Sequence, residues 1–158
     1  MMARHWEKNK FTPNLLVENK AGHSFVVCPV RKATESDIKK LGPTVCKLRN
    51  DGEIVHYPDE NTNQNPFVDG ENTGGYNICF ENASAIAKAN TVRAFYLKNS
   101  VGSVFDLGVT YYLQRQYPDR DFELLNPEDV KLKEDDFGDQ VVKSLLELQE
   151  EKTAANET

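Results

Sequence analysis

Apolar runs of three to six residues, separated by turn formers, fill the first 100 positions, and longer stretches of helical spacing follow. Leu15-Leu16-Val17 and Ser24–Cys28 flank Asn19–Gly22, which predicts a hairpin. Thr34, with Asp37 three residues on, can cap the first amides of a helix, and Gly42-Pro43 should stop it after about two turns. Thr44–Arg49 and Glu53–Tyr57 alternate on either side of Asn50-Asp51-Gly52. Those turn residues tolerate positive φ, so a second hairpin is predicted there.

Pro58 to Gly75 is polar and rich in Asn, Asp, Pro and Gly, and reads as a long loop. Tyr76–Phe80 and Val92–Leu97 read as strands, with a short helix from Asn82 to Ala89 between them. From Ser103 to Tyr117, Val104, Phe105, Gly108, Val109, Tyr112 and Leu113 recur at helical spacing, and Pro118 ends the element. Asp121–Leu125 reads as a strand. The acidic run Glu134-Asp135-Asp136 then precedes a helix whose stripe is Val141, Val142, Leu145, Leu146 and Leu148. Thr153 to Thr158 reads as a frayed tail.

Hairpins and helices interleaved in this irregular way imply an α+β fold: a small mixed, mainly antiparallel sheet with two to four short helices. The expected organisation is a basic arm over residues 1–10, one domain over 11–130, and an acidic amphipathic helix and tail over 131–158. At 158 residues the chain can bury a core without metal or disulfide staples. No apolar run approaches membrane-spanning length. The polar start lacks the apolar segment of a secretory signal. Cys28, Cys46 and Cys79 are odd in number and widely spaced, so all three are expected as buried free thiols in a reducing, cytoplasmic setting.

Charge divides the chain. Residues 1–50 balance at +6, residues 51–100 at −4 and residues 101–158 at −8, for the net −6. A basic head and an acidic tail admit a nucleic-acid contact, with Arg4, Trp6, Lys8 and Lys10 in the arm and Arg31 and Lys32 as a second cluster. Phosphate-loop, dinucleotide, nucleophile-elbow and zinc-helix signatures are absent, and no Cys-x-x-Cys pair occurs. His5, His23 and His56 are far apart and read as surface or edge residues. Asp59, Asn61 and Asn63 alternate as oxygen ligands do in a calcium loop. The sixth position from Asp59 is Gln64 rather than Gly, however, and the twelfth is Gly70 rather than Glu, so no metal is expected.

Arg31–Ile38 is similar to the first strand-to-helix junction of GNAT acetyltransferases, and Asn50–Val55 looks like the hairpin that follows in that family. The resemblance covers under a fifth of the chain. It implies a degenerate acyltransferase whose acetyl-CoA loop would fall on Asn99–Val104, where one Gly of the motif is kept and the leading Gln/Arg is lost. The residues themselves favour a different reading: a non-catalytic binding or assembly factor without cofactor, of the kind a small accessory subunit represents. Its partner would be another protein chain, the same or different, with nucleic acid as the alternative and no membrane. The expected contact residues are the C-terminal stripe, covered by a partner beyond a flexible joint at Gly138, together with Tyr111, Tyr112 and Tyr117.

Overall fold

The computed structural model describes residues 17–65 and 74–158. Four strands, β1 (Lys20–Val27), β2 (Ile54–His56), β3 (Ala89–Ala94) and β4 (Asp121–Leu124), form one sheet in the order β2-β1-β3-β4. Every pairing is parallel: Ser24 stands opposite Val55 and Thr91, and Arg93 opposite Glu123. Five helices connect and cover the strands: α1 (Glu35–Asn50), α2 (Pro58–Asn61), α3 (Gly74–Lys88), α4 (Val101–Gln116) and α5 (Phe137–Asn156). The fold is therefore α/β, and the expected mainly antiparallel sheet of hairpins is corrected. Both edges of β1 are occupied by parallel neighbours, so no edge remains for a hairpin with Leu15–Val17, of which Leu15 and Leu16 lie outside the described residues.

The second hairpin fails for a local reason. Leu41, Val45 and Leu48 recur at helical spacing, and all three pack on the sheet as α1 runs straight through Gly42-Pro43. Pro43 stands on the exposed side, where water can take the carbonyl its missing N–H leaves unbonded. The Asn-Asp-Gly chemistry ends this helix instead of turning a hairpin. Gly52 has φ +92°, its N–H donates to the Arg49 carbonyl, and the Glu53 N–H donates to the Leu48 carbonyl, the paired bonds of a Schellman stop. The start matches expectation: Thr34 and Asp37 cap each other reciprocally. Tyr76–Phe80, expected as a strand, belongs to α3.

Alternation along the central strand builds two cores. Phe25 and Val27 face α3, α4 and α5, together with Ile86, Val92, Leu107 and Phe122. Val26 and Cys28 face α1, together with Leu41, Val45, Val55 and Phe95. A strand buried on both faces reads as a continuous apolar run, which is what Ser24–Cys28 is. On the α1 face the unroofed part of the sheet is polar: Arg93 pairs with both Glu53 and Glu123 there.

The C-terminal stripe is covered by the domain itself. Val142 and Leu145 are fully buried in the larger core, with Val141 and Leu146 packed against it. Gly138 is a close-packing position and no joint. A Cβ there would lie 2.8 Å from Tyr96 Oη. Beside it the buried Asp139 accepts hydrogen bonds from Tyr96 Oη (2.7 Å) and the Lys133 N–H (2.9 Å), and pairs with Lys98 (2.6 Å). Burial pulls the Asp139 carboxyl upward, but these partners outweigh it and hold the group below the usual carboxylate range. Among the described residues no helix is long and apolar enough to cross a membrane.

One buried cation closes the end of α3. The Arg120 guanidinium donates to the carbonyls of Ile86 (2.8 Å), Ala87 (2.7 Å) and Ala89 (2.7 Å), where α3 turns into β3. Helix C-terminal carbonyls lack intrahelical donors and carry the negative end of the dipole, so a cation there does both jobs. Arg120→Met keeps most of the volume and removes the donors. It should cost about 2–4 kcal/mol, since buried acceptors are left unpaired. Urea unfolding of the variant against wild type checks this; a loss under ~0.5 kcal/mol would show that water replaces the guanidinium without cost.

Candidate functional site

In this strand order the chain leaves β1 towards β2 on one side, then returns past it to β3 on the other. The loops after β1 and β3 therefore diverge from adjacent strands at the carboxyl edge, and in open parallel sheets ligands bind in the crevice such a switch point leaves. A cavity of about 490 Å³ lies here. Cys28, Arg31 and Lys32 reach it from the end of β1, Cys79 and Asn82 from α3, and Ser100, Val101, Gly102 and Asp106 from the start of α4.

Local chemistry shapes each wall. Asn99 takes the left-handed conformation (φ +67°), which Asn tolerates better than most residues, and turns the chain from β3 into α4. Ser100 caps α4, accepting from the Ser103 amide (3.4 Å) and from its hydroxyl (2.9 Å). Lys32 Nζ donates to the Asn99 carbonyl (2.9 Å), tying the loop after β1 to the loop after β3. Arg31 donates to the Gln64 carbonyl (3.3 Å), reaching the segment after β2. Both basic side chains thus stand at the rim, beside the positive end of the α4 dipole.

Asp106 forms part of the floor and is only 2% exposed. Both of its oxygens accept from Asn82 Nδ2 at 3.2 Å. Burial raises its carboxyl to about 7, and the single amide donor offsets only part of that penalty. Asn82 Oδ1 accepts from Thr62 Oγ1 (2.7 Å), which leaves the Thr62 oxygen to accept from His56 Nε2 (2.8 Å). That order of donors makes His56 the Nε2–H tautomer. The ring is stacked on Phe25, with centroids 5.3 Å apart. Burial, then Lys88, pushes its basicity down, so it is neutral near pH 7. The chain His56–Thr62–Asn82–Asp106 runs from β2 through α3 to α4.

The residues singled out from sequence are dispersed. Arg4, Trp6, Lys8 and Lys10 lie outside the described residues, whereas Arg31 and Lys32 line the cavity. Asn61 Oδ1 accepts from the Tyr57 amide (2.8 Å) and Asn63 Oδ1 from the Asn65 amide (3.0 Å), so these oxygens serve local turns. Among the described residues no group of three or more His, Cys, Asp or Glu is placed to hold a metal. Tyr111, Tyr112 and Tyr117 are exposed on or just beyond α4. Cys28 is buried as expected, but Cys46 and Cys79 are exposed, because α1 and α3 are helices and rotate them off the core.

Asp106 and Asn82 were missed as a pair. Both stand inside helices, 24 positions apart in the sequence. Only Asn82 carried a sequence signal: it falls at helical spacing with Ile78 and Ile86, and a polar residue in such an apolar stripe needs a buried partner. Compared with family models, curated proteins and solved structures, the chain shows no match, so function has to be read from this geometry.

Asp106 carries a pH signature. Its native value of about 7 stands above the ordinary 3.8, so the folded state holds the proton more tightly than the unfolded state. Its stabilising contribution is complete below pH ~4 and is lost as pH rises through ~7. Asp106→Asn removes that dependence. The difference in melting temperature, variant minus wild type, should become more positive by several degrees between pH 5 and pH 8. A difference that stays constant across that range would mean the carboxyl is already ionised at pH 5.

Proposed function

We propose that the protein binds a small anionic molecule in the crevice at the carboxyl ends of β1 and β3. The observation that carries this reading is the convergence of Arg31, Lys32 and the amino end of α4 on one cavity at the switch point. The chain as a whole is acidic, at −6, so a local basic rim is not a by-product of general charge. Backbone amides at a helix start receive anions favourably, and two flexible cations beside them can close over the charge. Asp106 then gives the other end of the ligand a carboxyl that donates or accepts a hydrogen bond near neutral pH.

A protein-binding role, expected from sequence, is a second reading. It is supported by the exposed apolar residues of α4 rather than by the C-terminal stripe.

Inorganic phosphate and pyrophosphate are suitable probes. Because a ligand bound only by the folded state stabilises it, either anion should raise the melting temperature with the logarithm of its concentration above Kd, adding ~2.7 kcal/mol of stability at a hundredfold excess over Kd. The Arg31→Ala/Lys32→Ala double variant should lose the shift while keeping its far-ultraviolet circular dichroism. A shift that survives in the double variant would place the effect outside the crevice, and it, or the absence of a shift with either anion, would defeat the proposal.

A further inference from the structure

Asp106 and the amino end of α4 belong to one helix and open on one cavity. Val101 and Gly102 line that cavity, and their amides are among the first four of α4, which have no partner within the helix. Asp106 lies four residues beyond Gly102, about 6 Å along the axis. An anion held by those amides shares a small space with the carboxyl. Two negative charges brought together in a poorly hydrated volume do not both persist, and the weaker acid takes a proton.

Nothing nearby relieves the carboxyl in another way. Among the described residues its side chain has one donor, the neutral amide of Asn82. Arg31 and Lys32, on the loop after β1, donate to the Gln64 and Asn99 carbonyls instead. Cys28 from β1 and Cys79 from α3 are both pushed upward, first by burial and then by Asp106 itself, so each remains a thiol. Asp59 of α2 adds further negative charge, felt at Cys28. His56, at the far end of the hydrogen-bonded chain, is made a weaker base by burial and then by Lys88. α5 sends Asp106 no hydrogen bond or ion pair among the described residues. Asp106 is therefore the group in the crevice that can accept a proton near neutral pH, since burial has already raised its carboxyl to about 7.

We propose that the crevice takes up an anion and a proton together, with the proton residing on Asp106. The inference rests on the anion-binding reading above and adds what regulates it. Below pH ~7 the carboxyl is already neutral, and the anion enters without repulsion. Above that pH the free protein holds a carboxylate there, and binding has to return a proton to it. Affinity therefore falls as pH rises, by up to about tenfold per unit for one proton. The protonated carboxyl is also a donor, so the proton that removes the repulsion supplies a hydrogen bond to the ligand.

Sulfate is the probe, because it does not itself titrate near neutrality. Isothermal titration calorimetry of the full chain in two buffers of different ionisation enthalpy counts the protons exchanged. At about pH 8 each sulfate bound should take up more than ~0.5 proton, and Kd should rise roughly tenfold between pH 6 and pH 8. Asp106→Asn should bind sulfate without proton uptake, and its Kd should stay constant to within about twofold over that range. The carboxyl carbon resonance of Asp106 reads the same event in wild type, should the variant fail to fold. Saturating sulfate should move its titration midpoint up by about one pH unit or more. Sulfate binding with no proton uptake, uptake that persists in folded Asp106→Asn, or a midpoint that sulfate does not move would overturn the coupling and leave anion binding standing. Absence of sulfate binding at both pH values would overturn both.

Discussion

Parallel pairing on both edges of β1 is the constraint from which the rest of the structure follows. Two parallel neighbours cannot be joined by a tight turn, so each connection must carry the chain back the length of the sheet, and a helix does this while satisfying its own backbone. Those helices need apolar surface to rest on, and β1 offers it on both faces: Phe25 and Val27 to one side, Val26 and Cys28 to the other. Parallel strands also end at the same edge. The loops after β1, β2 and β3 therefore gather there, and their divergence between β1 and β3 opens the cavity. The site is a consequence of the pairing rather than an addition to it.

Two buried aspartates show how the interior separates structure from a candidate site. Asp139 has an ammonium, a phenol and a backbone amide, and those partners hold its charge in place. It can do little except fasten α5 to the end of β3. Asp106 is about as buried but has one neutral amide, and its carboxyl is raised to about 7. A group left so poorly compensated is costly unless something else uses it. Asp106 also lines a cavity, whereas Asp139 is enclosed by its own partners Tyr96, Lys98 and the Lys133 amide. Incomplete solvation next to open volume is what distinguishes the two.

Sequence pattern located most elements and misjudged how they join. The capping pair Thr34 and Asp37, the strand at Ser24–Cys28, the helix ending before Pro118 and the C-terminal apolar stripe were all legible, because each rests on chemistry within a few residues. Strand direction was not, because it depends on which distant segment supplies the neighbour. Asn50-Asp51-Gly52 is the clearest example. A glycine at positive φ serves a hairpin turn or a helix stop equally well, and only Leu41, Val45 and Leu48, read together across Pro43, distinguish the two. The basic pair Arg31 and Lys32 was visible as a charge cluster. Its companions Asn82 and Asp106 were hidden in helices, where polar residues usually mean solvent.

α4 was the hardest segment to read, and the reason is physical. Periodicity identifies a helix by one apolar stripe and takes that stripe to be the inner one. Here two stripes compete. Leu107 and Leu113 face inward together with Asp106, Thr110 and Gln114, while Val101, Phe105 and Tyr112 face out. The pattern Val104, Phe105, Gly108, Val109, Tyr112, Leu113 mixes residues of both, so it establishes the helix and leaves its rotation undetermined. That rotation is set by the switch-point cavity, which requires Asp106 inside, where Asn82 can reach it. With Asp106 inward, 3.6 residues per turn carry Phe105, Gly108 and Tyr112 to the opposite side. The polar floor of the cavity and the apolar outer face of α4 are thus two results of one helical orientation.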